Sequence, residues 1–146
     1  MQCSMVPNEY ANDIWPQVKD YLAGAAEYTH GRYDVDDIRE AVMDGDHTLW
    51  IAFSDTGIKG AVVTNFMFYP RKKYLVMAFC GGVHLEQWKD QMLKLLQHFA
   101  YDTQCDGIEA TARPGWGKIF QHDGHKPLWH TFQLPVADTG LGAKNG

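Results

Sequence analysis

The sequence has little excess of either charge, few cysteines and no long apolar run, and each shortage excludes a class of protein. With 13 Lys and Arg against 18 Asp and Glu, the formal charge is −5. That balance argues against a sequence-independent nucleic-acid binder, which needs a positive stripe to displace counterions from phosphates. The one basic cluster, Arg71-Lys72-Lys73 after Pro70, has the composition of a solvated turn. Cys3, Cys80 and Cys105 make an odd count of 3 without CxxC spacing, which suggests neither a disulfide framework nor a zinc site. His122 and His125 flank Asp123-Gly124 at a spacing that fits no metal motif, so no metal is expected. No stretch approaches the roughly 18 apolar residues of a membrane span, and Met1-Gln2-Cys3-Ser4 lacks the basic start and apolar run of a secretory leader. The expectation is a cytoplasmic protein that engages neither membrane nor nucleic acid.

What is present is apolar material in regular patterns. The 146 residues are 45% hydrophobic and 13% aromatic, enough for one core at this length. With no internal repeat and no low-complexity break, residues 1–136 read as one domain and residues 137–146 as a loose tail.

Periodicity predicts a helix from about Trp15 to Thr29, with Pro16 at its first position. Asp34 with Asp37 forms a capping box that opens a second helix, and Gly45 stops it. Two helices are thus expected before the sheet. Leu49 to Phe53 and Ile58 to Phe68 predict a hairpin turning at Ser54-Asp55-Thr56-Gly57. Tyr74 to Cys80 is apolar on both faces and reads as the covered middle strand. Leu85, Trp88, Met92, Leu95, Leu96 and Phe99 recur at helical spacing, which predicts a long helix over 84–102. Cys105 to Ala112 then reads as a strand, Gly115 to His122 as a short helix, and Leu128 to Leu134 as a last strand with Trp129 in the core. A strand, a helix crossover and a further strand imply a right-handed parallel pair, 74–80 with 107–112, inside an otherwise antiparallel sheet.

This element order, from about Ile14 to Pro135, resembles the GNAT N-acyltransferase superfamily. The segments Asp36 to Gly45, Leu49 to Ala52 and Ile58 to Ala61 look like that family's second helix, a strand and the glycine-bearing hairpin strand. The resemblance implies a mixed, mostly antiparallel α/β sheet with a central parallel pair and helices on both faces. It also implies that acetyl-CoA lies between the two splayed parallel strands, with its phosphates at the start of the long helix. The cofactor-contacting residues would then be Phe79, Cys80, Gly81, Gly82, Val83 and His84. The Gly81-Gly82 pair departs from the family's glycine spacing and lacks its basic residue, so it reads either as an anion loop or as a plain turn.

Glu109, on a strand beside the cleft, is the candidate base for the acceptor amine, and His84 is a candidate for phosphate contact or base. Phe120 stands where many GNAT enzymes carry an acidic tyrosine, Arg113 stands where asparagine is common, and His125 replaces a phenylalanine. Tyr28, Tyr33, Tyr69 and Tyr74 are alternative acids, Cys80 reads as a core thiol, and Trp116 could border a ligand or partner. The overall pattern also resembles small GNAT-like proteins encoded by bacteriophages, some associated with virions. Two functions follow: an acyltransferase acting on a small-molecule or protein amine, or an inactive GNAT-fold module that binds a protein partner. Neither reading sets an oligomeric state.

Overall fold

A computed structural model describes residues 1–111, 124 and 126–136 of the chain. Two compact units divide it, Met1–Thr111 and Ala112–Gly146. In the first, β1 (Gln2–Val6), α1 (Asn8–Ala26), α2 (Val35–Met43), β2 (Thr48–Ser54), β3 (Gly57–Phe68), β4 (Lys73–Gly82), α3 (Leu85–Asp102) and β5 (Gly107–Ala110) follow in chain order. The five strands lie side by side in that same order. Every pairing is antiparallel except β4 with β5, which is parallel as predicted.

Helices cover both faces. Ala11, Trp15, Val18, Leu22 and Ala26 of α1, with Ile38 and Val42 of α2, pack against Leu49, Ile51, Ala61 and Val63 of the sheet. On the opposite face Trp50 meets the ring of Phe99 in α3 edge-on at 5.0 Å, and Phe66 stacks on the same ring at 5.8 Å. The buried Trp50 indole donates to Thr64 Oγ1 at 2.9 Å, which satisfies both polar atoms inside an apolar layer.

Four expectations are corrected. The first helix begins at Asn8, seven residues before Trp15, and holds Pro16 in its interior. Proline removes one N–H and frees the carbonyl four residues back, here that of Asn12, on the solvent-facing side where water can satisfy it. A strand, β1, precedes both helices. Its burial pattern leaves only Val6 inside, so it carries no readable alternation and exists by pairing with β2. The middle of the five strands is β3, not β4. Gly60 to Thr64 of β3 are all buried, whereas β4 alternates between Leu75, Met77 and Phe79 inside and half-buried neighbours. Lastly, residues 128–134 form no strand and Trp129 is exposed. Alternation there marks a segment able to pair, but strand formation needs a partner ladder.

The capping box is present as read: Asp37 N–H donates to Asp34 Oδ1 and Asp34 N–H to Asp37 Oδ2, both at 3.0 Å. Gly45 follows α2 at φ 84°, a conformation that favours glycine. The predicted helix over 115–122, with Arg113, Trp116, Phe120, His122 and His125, lies outside the described residues, as does the tail 137–146. Among the described residues no helix is long and apolar enough to cross a membrane.

Candidate functional site

The parallel pair is short. Its register runs from Tyr74↔Gly107 to Met77↔Ala110, so β4 continues through Ala78, Phe79, Cys80, Gly81 and Gly82 with no partner on its β5 side among the described residues. On its other side β4 stays paired with β3 as far as Gly60↔Gly82. Among the described residues, one edge of the strand end therefore presents main-chain groups that no ladder consumes, while the other edge is paired with β3.

A β-bulge lies where the edge opens. Val63 pairs with Phe79 and Thr64 with Met77, which leaves Ala78 as the extra residue. A bulge re-aims the side chains that follow it. Met77 falls on the α3 face with Thr64, and Phe79 falls on the α1/α2 face with Val63, in whose core it is buried. There the ring of Tyr33, from the α1–α2 loop, meets Phe79 edge-on at 5.2 Å and 77°.

Beyond the bulge, the chain packs on itself closely. A Cβ on Gly81 would lie 2.2 Å from the carbonyl oxygen of Tyr21 in α1. One on Gly82, at φ +148°, would lie 2.5 Å from Gly60 Cα and from the Lys59 carbonyl oxygen. A Cβ on Gly60 would stand 2.3 Å from the Trp88 ring. A side chain at either glycine would collide with the chain's own backbone, so packing holds both of these β4 positions to glycine.

The loop then enters α3. Val83 N–H donates to the Lys59 carbonyl at 2.8 Å, and Trp88 Nε1 donates to the Val83 carbonyl at 2.9 Å. His84, the exposed N-cap, has φ 54° and makes no side-chain cap. The first-turn N–H groups of α3 are therefore left without a capping side chain. Their positive end is partly offset by Glu86 in the same turn.

The expected site residues fall into two groups. Phe79, Cys80, Gly81, Gly82, Val83 and His84 form one continuous strand end, loop and helix start. Glu109 lies apart from it, in register with Val76, about 16 Å along the strand from Gly81 at about 3.3 Å per residue. It nevertheless lies on the face of the sheet that holds Phe79, because Val76 pairs with Asn65, two residues from Val63. Cys80 pairs with Val62, and burial pushes its thiol up to about 12, so it stays protonated and is no nucleophile. Of the four alternative tyrosines, Tyr69 and Tyr74 meet each other at the far end of β4, and Tyr33 meets Phe79 past the β4–β5 ladder. Tyr33 is among the acids the sequence offered, but its contact with Phe79 was not legible there, because the bulge at Ala78 sets the face on which Phe79 falls.

No protein-family model and no curated protein matches the sequence. Solved structures do match. A probable acetyltransferase has a TM-score of 0.69 at 12% identity, with 94% of this chain and 99% of the other covered. A ribosomal-protein-alanine N-acetyltransferase from Brucella melitensis has a TM-score of 0.68 at 14% identity, covering 93% and 100%. A GNAT family acetyltransferase from Staphylococcus aureus gives 0.63 at 12%, covering 92% and 98%. The fold is that of the GNAT acetyltransferases.

Proposed function

We propose that the chain is an acyl-CoA-dependent N-acyltransferase, with acetyl-CoA as donor and a small-molecule or protein amine as acceptor. The observation that carries this reading is the β4 edge from Ala78 to Gly82, paired with β3 on one side and, among the described residues, without a partner on the other. A pantetheine arm carries amide groups, and an unpaired strand edge offers the donors and acceptors that such groups need. The uncapped start of α3 follows directly and suits an anion, although Val83 N–H is already committed to Lys59. Bound there, the thioester supplies an activated acyl carbon; the chain supplies position, the larger part of the rate in such a transfer.

Glu109, on the face of Phe79, is the carboxylate we assign to take the proton of the acceptor ammonium. The rise along β4 puts it about 10 Å from Phe79, farther than one bridging water reaches, so the proton would pass along a chain of waters. His84, exposed at the helix start, is assigned to phosphate contact.

A second reading, a GNAT-fold binding module without chemistry, draws on one observation: a Cβ on either glycine of the pair would run into the backbone of Tyr21, Lys59 or Gly60, so packing alone accounts for both glycines. Titration with acetyl-CoA separates the two. At 100 times its Kd a ligand adds about 2.7 kcal/mol of stability, so the acyltransferase shows a clear rise in unfolding temperature. An unchanged melting curve at millimolar acetyl-CoA, with no heat in calorimetry, overturns the enzyme reading in favour of the module.

A further inference from the structure

The last four residues of β3 have a strand beside them on one side only. The β2–β3 ladder ends at Thr48↔Thr64, whereas β3 runs on through Asn65, Phe66, Met67 and Phe68, each paired with β4. At about 3.3 Å per residue the hairpin projects roughly 13 Å past the start of β2. Among the described residues nothing pairs with its outer edge. Such an edge is normally guarded by a charge, a proline or a bulge, and residues 65–68 hold none of the three.

The segment is also apolar and firmly held. Met67 is 42% exposed and Phe68 69%, with Tyr69 after them at 48%. Lys73 Nζ lies 4.5 Å from the Phe66 ring centre and 5.4 Å from that of Phe68, and donates to the Thr103 carbonyl at 2.6 Å. Tyr69 N–H closes the turn on the Lys72 carbonyl at 2.8 Å. Lys73 N–H donates to Asp106 Oδ2 at 2.9 Å, and Asp106 N–H to the Lys73 carbonyl at 2.7 Å. An edge ordered in this way loses little freedom when another strand joins it.

We infer that the chain forms a two-fold dimer in which the β3 overhangs of two copies pair antiparallel about Met67 and join the sheets into one. A two-fold axis through the sheet keeps every side chain on its own face, so residues of like parity meet across it. With Met67 on the axis, it faces its own counterpart, and on the α3 face Phe66 of each copy faces Phe68 of the other. Both exposed side chains are then covered, the rings in cross-strand pairs of a kind that stabilises sheets. The same register sets Thr64 of the second copy opposite Pro70, and with it Thr48, the start of that copy's β2. The turn 70–72 of each copy therefore comes to the α2–β2 turn of the other, which brings exposed Arg71 and Lys72 to exposed Asp44 and Asp46. None of these four charges has an ion-pair partner among the described residues. Centring the pairing on Phe66 instead would put Thr48 of the second copy in the slot that Phe68 fills. Each copy has one such overhang, so the contact closes at two. It lies at the other end of β4 from the candidate site and does not depend on the acyltransferase reading.

Sedimentation equilibrium of the full chain at roughly 10⁻⁴ M, a range suited to a small interface, should give a dimer. Met67→Lys opposes two ammonium groups on the axis, so it weakens association on the order of 10²-fold and sediments as a monomer. Met67→Cys places two thiols across the axis within disulfide reach and links into covalent dimers under mild oxidation. Tyr101→Cys, at a position 84% exposed on α3, and the parent with its three native thiols do not. A monomeric parent, the result if a foreign strand is the edge's occupant, overturns the pairing. So does a dimer that survives Met67→Lys, or a Met67→Cys protein that cross-links no faster than Tyr101→Cys.

Discussion

His47 stands in the turn between α2 and β2 with a buried Nδ1 that has no partner among the described residues. Burial lowers its pKa below the ordinary 6.5, and the neighbouring Asp46 only partly opposes that shift. The folded protein therefore binds this proton less readily than the unfolded chain. Stability is fully present above about 6.5, where both states hold a neutral imidazole, and is lost as pH falls toward the lowered folded value. We expect urea midpoints to decline from pH 7 to pH 5 and His47→Gln to flatten that decline. An equally steep decline in the variant would refute the assignment. This residue was not legible beforehand, since nothing in its neighbours marks a buried turn. Asp34 was legible, because a capping box depends on residues three apart and on nothing distant.

At the level of elements, what could be read was local. The long helix α3 buries Trp88, Met92, Leu96 and Ala100, the face its spacing announced. What could not be read depended on tertiary cover: β1 exists through its partner, and α1 runs through Pro16 because the freed carbonyl faces water. The Trp88–Gly60 contact is of that second kind, joining a helix to a strand 28 residues earlier through the absence of a single carbon. Gly60→Ala places a methyl group against the Trp88 ring, and we expect a loss of about 1–3 kcal/mol in urea denaturation. In a Trp88→Phe background the same substitution should cost less, because the two residues share one space. Equal penalties in both backgrounds would show that the strain lies elsewhere.

Across the whole first unit, the sheet gives a gradient of protection. The buried run Gly60 to Thr64 lies in β3, hydrogen-bonded on both sides, whereas Gly107–Ala110 is a four-residue strand at the edge of the sheet among the described residues, with every residue only half-buried. Amide hydrogen exchange should therefore be slowest at Val62 to Thr64 and faster by on the order of 10²-fold at β5. Comparable protection in the two strands would contradict this strand order. The candidate site was partly visible in advance as the stretch from Phe79 to His84. Its distance from Glu109 was not, because register is a property of the assembled sheet.

Ala78 adds a further consequence. In β4 the buried residues Leu75, Met77 and Phe79 keep an unbroken beat of two, yet the extra residue shifts the phase so that the third sounds on the opposite face. A relative lacking that residue would set the equivalents of Met77 and Phe79 side by side, losing the beat of two while every later side chain kept its face. Aligned to this chain by hydrophobic alternation alone, it would slip by one residue and disagree in space. The gap that restores agreement belongs at position 78.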